Sequence, residues 1–213
     1  MFNLSKTASV ANTFVAELRD INIQKDAMRF RNNLHRLGVF FAHEISKTMA
    51  YTEIETQTPL GLAKSMVLTT QPVIATILRA GLPFQQGFLE VFDKAECAFI
   101  TAYRNTKKNG EFTIQMEHIS APNLDGKTVI LVDPMLATGL SMVLCAKELI
   151  GDYKIKELHI CAAIASVEGV NQVKANLPKA KLWVGAVDQE MTSKSYIVPG
   201  LGDAGDLAYG AKS

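Results

Sequence analysis

Two spacings of apolar residues follow one another along the chain, and the change between them divides it. From Asp26 to Ala50 the apolar residues Met28, Phe30 (with Arg31 beside it), Leu34, Leu37, Phe41, Ile45 and Met49 recur every three or four positions. That spacing lines one stripe of an α-helix, so residues 1–50 are read as a mainly helical segment. Thr58-Pro59-Leu60-Gly61 interrupts the pattern with turn-forming residues. Beyond it come short apolar runs at 72–78, 97–103, 128–132, 158–164 and 182–187, several rich in Val and Ile. These are strand-length and predict strands buried on both faces. Helix-like stretches at 83–92, 141–150 and 168–176 lie between them. Strands alternating with helices imply βαβ units, hence a parallel sheet covered by helices.

Two stretches do not fit this alternation. In 110–120, Phe112, Ile114, Met116 and His118 alternate with Thr113, Gln115 and Glu117. A period of two predicts an antiparallel strand or hairpin arm, placed here outside the main sheet. The stretch 195–210 carries Pro199, Gly200, Gly202, Gly205 and Gly210, too much glycine for a regular element. A long glycine-rich loop in a compact domain is more often functional than idle.

Composition narrows the function classes. The 213 residues fit a single domain, 48% apolar and 20% charged, as in ordinary globular proteins. Lys plus Arg total 22 against 21 Asp plus Glu, a net charge of +1. That balance argues against a nucleic-acid binder while leaving room for a compact anionic ligand. Cys97, Cys145 and Cys161 sit singly in apolar runs, so neither a disulfide framework nor a zinc site is expected. No signal peptide is apparent at the N-terminus, and no run approaches the roughly 20 apolar residues of a membrane span. A cytoplasmic location is the expectation, without membrane or nucleic-acid partners.

The segment richest in chemical meaning is Thr128-Val-Ile-Leu-Val-Asp133-Pro134-Met135-Leu136-Ala137-Thr138-Gly139-Leu140-Ser141. An apolar strand runs into an Asp, a turn of small residues, and a helix. Ligands of parallel sheets bind at the carboxyl ends of strands, where this turn would lie. Thr138, Gly139 and Ser141 fall where backbone N–H groups and hydroxyls at a helix N-terminus hold a phosphate. Asp133 is placed to accept hydrogen bonds from sugar hydroxyls. The residues alone leave a plainer reading open, with Asp133-Pro134 as a simple turn and Ser141 as a helix cap. The segment lacks the Gly-Lys-Ser/Thr ending of a Walker loop and the spaced glycines of a dinucleotide fingerprint.

Taken together, three segments resemble the uracil phosphoribosyltransferases. Asp133 to Ser141 is similar to the family's phosphoribosyl-pyrophosphate loop. Ile77-Leu78-Arg79-Ala80-Gly81-Leu82 resembles its pyrophosphate loop, and Tyr196-Ile197-Val198-Pro199-Gly200-Leu201-Gly202-Asp203-Ala204-Gly205-Asp206 its uracil loop. A weaker likeness runs from about Arg29 to Lys212. The resemblance implies an α/β fold: a Rossmann-like parallel-sheet phosphoribosyltransferase core with a helical N-terminal segment, a β-hairpin arm over 104–127 and a glycine-rich base loop over 195–210. It implies a pentosyltransferase of pyrimidine salvage that moves the phosphoribosyl group of phosphoribosyl pyrophosphate (PRPP) onto uracil N1, giving UMP and pyrophosphate.

The site residues implied by the resemblance are as follows. PRPP would be held by Arg79, Arg104, Asp133, Pro134, Met135, Leu136, Ala137, Thr138, Gly139, Leu140, Ser141 and Asp203. Arg79, Arg104, Asp133 and Asp203 would carry the catalytic roles. Uracil would be read by Ile197, Gly202, Asp203 and Ala204, with Tyr196 beside the base. Mg²⁺ would arrive with PRPP and meet Asp203 through water, with no direct protein ligand. From the residues alone, Arg79 and Arg104 can also be read as solvated arginines, Asp203 as a turn residue and Tyr196 as a core aromatic. His118 and His159 lie outside the three segments and read as structural. A homodimer or larger homo-oligomer and activation by GTP are further implications.

The chain departs from the family pattern at Leu140, where a second glycine is usual, and at the bulkier Met142. Residues 82–87 and 105–108 also differ in size and charge. Leucine adopts left-handed dihedrals only at a cost, which points to a rearranged phosphate loop or a partly screened amide. The alternatives are a sensor of PRPP or uracil nucleotides with little turnover, and a phosphoribosyltransferase for another base.

Overall fold

The computed structural model describes residues 1–106 and 112–211, and for 103–106 and 112–116 the backbone only. After a two-residue strand at Phe2–Asn3 come two helices, α1 (Val10–Arg19) and α2 (Ala27–Ser46). Ser9 caps α1 and Asp26 caps α2, each side chain accepting from a backbone N–H of the first turn. The predicted stripe on α2 is real: Phe30, Leu34, Leu37, Phe41 and Ile45 are fully buried or nearly so. Met28, assigned to the same stripe, is 63% exposed because it sits in the first turn, ahead of the helix packed beneath.

The central sheet contains eight strands. They are β1 (Phe2–Asn3), β4 (Val73–Leu78), β5 (Glu96–Thr106), β6 (Phe112–Ser120), β7 (Thr128–Val132), β8 (Met135–Leu136), β9 (Glu157–Ser166) and β10 (Lys181–Asp188). The intervening β2 (Tyr51–Thr58) and β3 (Gly61–Leu68) form a separate hairpin. The sheet order is β1-β10-β9-β7-β4-β5-β6, with β8 paired to β9. All pairings are parallel except β5 with β6. Helices α3 (Gly81–Val91), α4 (Leu140–Asp152) and α5 (Val167–Asn176) connect the parallel strands. β7 and β9 are buried along almost their whole length, as the unbroken apolar runs required.

Two expectations need correction, and one stretch given no element is filled: residues 51–68 form β2 and β3, with Pro59-Leu60 as the hairpin tip. β6 is antiparallel as expected, yet it is the edge strand of the main sheet rather than outside it. The glycine-rich stretch holds short regular elements after all: β12 (Ile197–Val198) pairs with β11 (Glu190–Met191), and a short helix α6 spans Ala204–Tyr209. Asp203 starts that helix by accepting from the Asp206 N–H at 2.9 Å, a capping bond that outweighs the local glycine content. The middle of the arm, 107–111 with Lys107 and Lys108, lies outside the described residues.

Helices α2 and α3 cross with their backbones almost touching. A Cβ at Gly38 would lie 2.3 Å from the Phe84 carbonyl oxygen, and one at Gly87 would lie 2.0 Å from that of His35. Phe41, Phe84 and Phe88 pack edge-to-face around the crossing. Among the described residues, Cys145 and Cys161 are buried free thiols, and burial pushes Cys145 up to about 12. No helix of the described residues is long and apolar enough to cross a membrane. Gly87→Ala is expected to destabilise the protein by about 2 kcal/mol or more, because the helices must part to admit the methyl. Urea unfolding of the two proteins checks this.

Candidate active site

The chain runs from β4 to β5 on one side, then returns to β7 on the other side of β4. The strand order therefore reverses between β4 and β7, the position at which open α/β sheets bind ligands. Arg79 follows the last residue of β4, and Asp133 follows the last residue of β7. A Cβ on Gly81 would lie 2.7 Å from Thr76 Cγ2 and 3.3 Å from the Val132 carbonyl oxygen. The turn after β4 thus packs directly against the end of β7.

The phosphate loop is braced along its length. The Pro134 carbonyl accepts from the Ile164 N–H at 2.9 Å, and Met135 and Leu136 pair with β9 as β8. The Ala137 carbonyl accepts from Ser166 Oγ at 2.6 Å, while Ser166 Oγ accepts from the Gly169 N–H at 2.8 Å. Gly169 has no room for a side chain, since a Cβ would lie 2.4 Å from the Ala137 carbonyl oxygen. Gly139 takes the left-handed conformation at φ 78° and caps α4.

Leu140 is the first helical residue, and Ser195 is the one non-glycine with positive φ among the described residues. Leu140 therefore needs no left-handed dihedral, because Gly139 alone makes the left-handed turn. Ser141 lies inside the first turn of α4, so it is not the helix cap that one reading made it. The Leu140 N–H makes a long 3.4 Å contact to Thr138 Oγ1. The first turn of a helix otherwise leaves its N–H groups without intrahelical acceptors. The plain-turn reading holds in part, since Asp133 Oδ1 accepts from the Met135 N–H at 3.1 Å.

Arg79 joins two of the three segments. Its Nη2 donates to Asp206 Oδ1 at 3.4 Å and to the Gly210 carbonyl at 3.3 Å, so it is not a freely solvated arginine. Around Gly205, Asp203 Oδ1 and Arg79 Nη2 lie 3.2 and 3.7 Å from where a Cβ would be. Arg104 continues β5, opposite Ile114, but its side chain lies outside the described residues. In the base loop, Ile197 and Ala204 are buried, whereas Gly202 and Asp203 face solvent. Tyr196 is 44% exposed, which removes its reading as a core aromatic. The Leu78-Arg79 and Val198-Pro199 peptides are both cis.

Burial pushes the Asp133 carboxyl up to about 7, with the charge of Asp203 adding to the rise and the Met135 N–H opposing it. The two acids of the site therefore sense each other. His159, in contrast, is a core residue: Nδ1 accepts from Trp183 Nε1 at 3.0 Å, and burial lowers its pKa to about 4. Several residues that shape the site went unnoticed in the sequence. Ser166 and Asp188 end strands β9 and β10, and their signal was a polar residue closing an apolar run. Arg19 and Arg31 gave no local signal, since their partners are far away in sequence.

The uracil phosphoribosyltransferase family model matches residues 5–211. The chain belongs to the uracil phosphoribosyltransferase family. It is 46% identical to the uracil phosphoribosyltransferase of Porphyromonas gingivalis over 213 residues, covering 100% of this chain and 99% of that one. It is 39% identical to the uracil phosphoribosyltransferase of Thermococcus gammatolerans over 200 residues, covering 92% and 88% of the two chains. The solved structure of the AQ2163 protein from Aquifex aeolicus superposes with a TM-score of 0.86 at 30% identity, over 96% of each chain. The α/β fold with a mostly parallel sheet is that of the family.

The Asp133 shift has a sign that can be tested. An acid whose pKa is higher folded than unfolded releases its proton first in the unfolded chain, so stability falls as pH rises between the two values. With an ordinary value of 3.8 and a folded value of about 7, the loss runs from about pH 4 to about pH 7. Each unit in that window removes up to about 1.4 kcal/mol. Asp133→Asn is expected to flatten that part of the stability–pH curve, measured by denaturant unfolding.

Proposed function

We propose that this chain transfers the 5-phosphoribosyl group of PRPP to N1 of uracil, releasing UMP and pyrophosphate, within a single phosphoribosyltransferase domain. The observation that carries the reading is the meeting of three matching segments at the carboxyl ends of the central strands β4 and β7, with the turn at Gly81 packed on the end of β7 and Arg79 spanning from the end of β4 to the 203–210 segment. Family membership supports the same reaction.

Each segment then has a task. The N–H groups at the start of α4, with Thr138 and Ser141, hold the 5′-phosphate, and Asp133 through Leu140 line the rest of the PRPP site. Asp133 accepts from the ribose hydroxyls. Arg79 and Arg104 are the residues assigned to bind the pyrophosphate, to which a guanidinium offers a planar fork. Arg79 would exchange its long contact to Asp206 for phosphate oxygens. Asp203 would hold, through water, the Mg²⁺ that PRPP carries, and that ion would neutralise pyrophosphate charge, as suits a hard cation that keeps its hydration shell. One Asp203 oxygen is engaged by the Asp206 N–H, which leaves the other for that water.

Uracil lies against Ile197, Gly202, Asp203 and Ala204, with Tyr196 at its side. Backbone groups read its two carbonyls and the N–H between them, and cytosine would leave some of those groups unpaired. At C1 the bond to pyrophosphate breaks as the bond to N1 forms, with inversion, and the N1 proton leaves for pyrophosphate or water. Positioning and electrostatics supply the catalysis.

The chain acts in the cytoplasm as a homodimer or larger homo-oligomer, and GTP is a candidate activator. The sensor reading rested on Leu140, and the ordinary helical backbone there gives it no support.

UMP synthesis from uracil, PRPP and Mg²⁺ tests the reading, with cytosine, hypoxanthine and orotate run in parallel. Uracil alone is expected to react, and Arg79→Ala is expected to lower kcat/KM for PRPP by about 100-fold. Equal turnover of hypoxanthine, or no turnover of any base by folded protein, would refute it.

A further inference from the structure

The base loop is anchored to a part of the chain that has no contact with the reaction. Arg19, the last residue of α1, forms a two-pronged pair with Asp188 at the end of β10. Nη1 donates to Oδ2 at 2.7 Å and Nη2 donates to Oδ1 at 2.8 Å. Both groups also grip the backbone of Gly200. Arg19 Nη1 donates to the Gly200 carbonyl at 3.0 Å, and the Gly200 N–H donates to Asp188 Oδ2 at 2.9 Å. The donor and the acceptor of one peptide residue are thus held by a cation and an anion that also hold each other. The side chains are 22% and 8% exposed, so water competes little for these bonds.

Gly200 itself has no slack. Its φ is +55°, and a Cβ there would lie 2.1 Å from the Ile197 carbonyl oxygen. Two residues later the chain reaches Gly202, Asp203 and Ala204. A small displacement of Gly200 is carried straight into the groups assigned to the base.

We propose that Arg19 and Asp188 are positioning residues that fix Gly200, and through it the affinity and selectivity for the base, while leaving PRPP binding alone. The inference rests on the reading of 195–210 as the base-recognition loop. It gives the N-terminal helix a share in the site although no residue of α1 belongs to the three ligand segments. Breaking the pair leaves a buried charge without its partner, so the loop rather than the sheet yields first.

A second ion pair on the same helix provides the control. Arg29 on α2 donates to both carboxylate oxygens of Glu17 on α1, at 2.9 and 2.6 Å, and among the described residues no loop group shares that pair. Losing it loosens α1 without touching Gly200.

The test combines steady-state kinetics with amide exchange in the ligand-free protein. In Asp188→Asn and Arg19→Gln, KM for uracil is expected to rise about ten-fold or more, with KM for PRPP within about two-fold of the parent. Arg19→Lys is expected to recover only part of the loss, because an ammonium cannot reproduce the planar fork. The Gly200 amide is expected to exchange about ten-fold faster in Asp188→Asn, by NMR, and to remain protected in Arg29→Gln. Unchanged Gly200 exchange would overturn the clamp. Equal rises in both KM values, or the same uracil defect in Arg29→Gln, would reduce the pair to a structural tie and overturn the positioning role. A parent protein that makes no UMP would refute the base assignment alone, and the exchange result would then decide the clamp.

Discussion

A parallel sheet must be covered on both faces, and here β7 and β9 are buried along nearly all of their length while helices occupy the space above and below. Chemistry is consequently confined to the strand ends. β4, β7, β9 and β10 place Arg79, Asp133, Ser166 and Asp188 at or just past their carboxyl ends, one residue from each strand. Arg79 and Asp133 belong to the segments that match the family, and Ser166 and Asp188 hold such segments in place. The close crossing of α2 and α3 at Gly38 and Gly87 belongs to the same constraint, since it brings α2 flush against a helix that connects the parallel strands.

Division of labour among these strand-end residues explains how loops rich in glycine and small side chains keep a defined shape. The phosphate loop is bonded to β9 through Pro134, β8 and Ser166 rather than left to its own few residues. The base loop is fixed at Gly200 by Arg19 and Asp188, while Arg31 Nη1 donates to the Ala208 carbonyl at 2.7 Å further along. Arg79 spans the gap between the first loop region and the last. Charged side chains bonded to backbone carbonyls thus do for the loops what ladder hydrogen bonds do for the strands.

Much of this was legible in the residues, for a physical reason. Strands buried on both faces appear as uninterrupted apolar runs, and each of the five runs proved to be a strand of the central sheet. The β2–β3 hairpin was missed because it buries neither face: Ile54, Leu62 and Met66 are exposed, so no one-sided pattern marks it. β6 was recognised as antiparallel, but alternation alone does not say which sheet a strand joins. Helix α6 was hidden by glycine content, although Asp203 supplied the cap that starts it. The three segments that match the family could be read because each pattern is local. Arg19, whose partner lies 169 positions away, could not.

The central claim is that a phosphate held at the start of α4 and a base held by the 197–204 segment belong to one ligand. An experimental structure of the protein with UMP tests this most directly. The account predicts the 5′-phosphate against the backbone of 138–141, the ribose hydroxyls at Asp133, and the uracil ring facing Gly202 to Ala204. A nucleotide bound with its phosphate elsewhere, or with its base turned away from that loop, would contradict it.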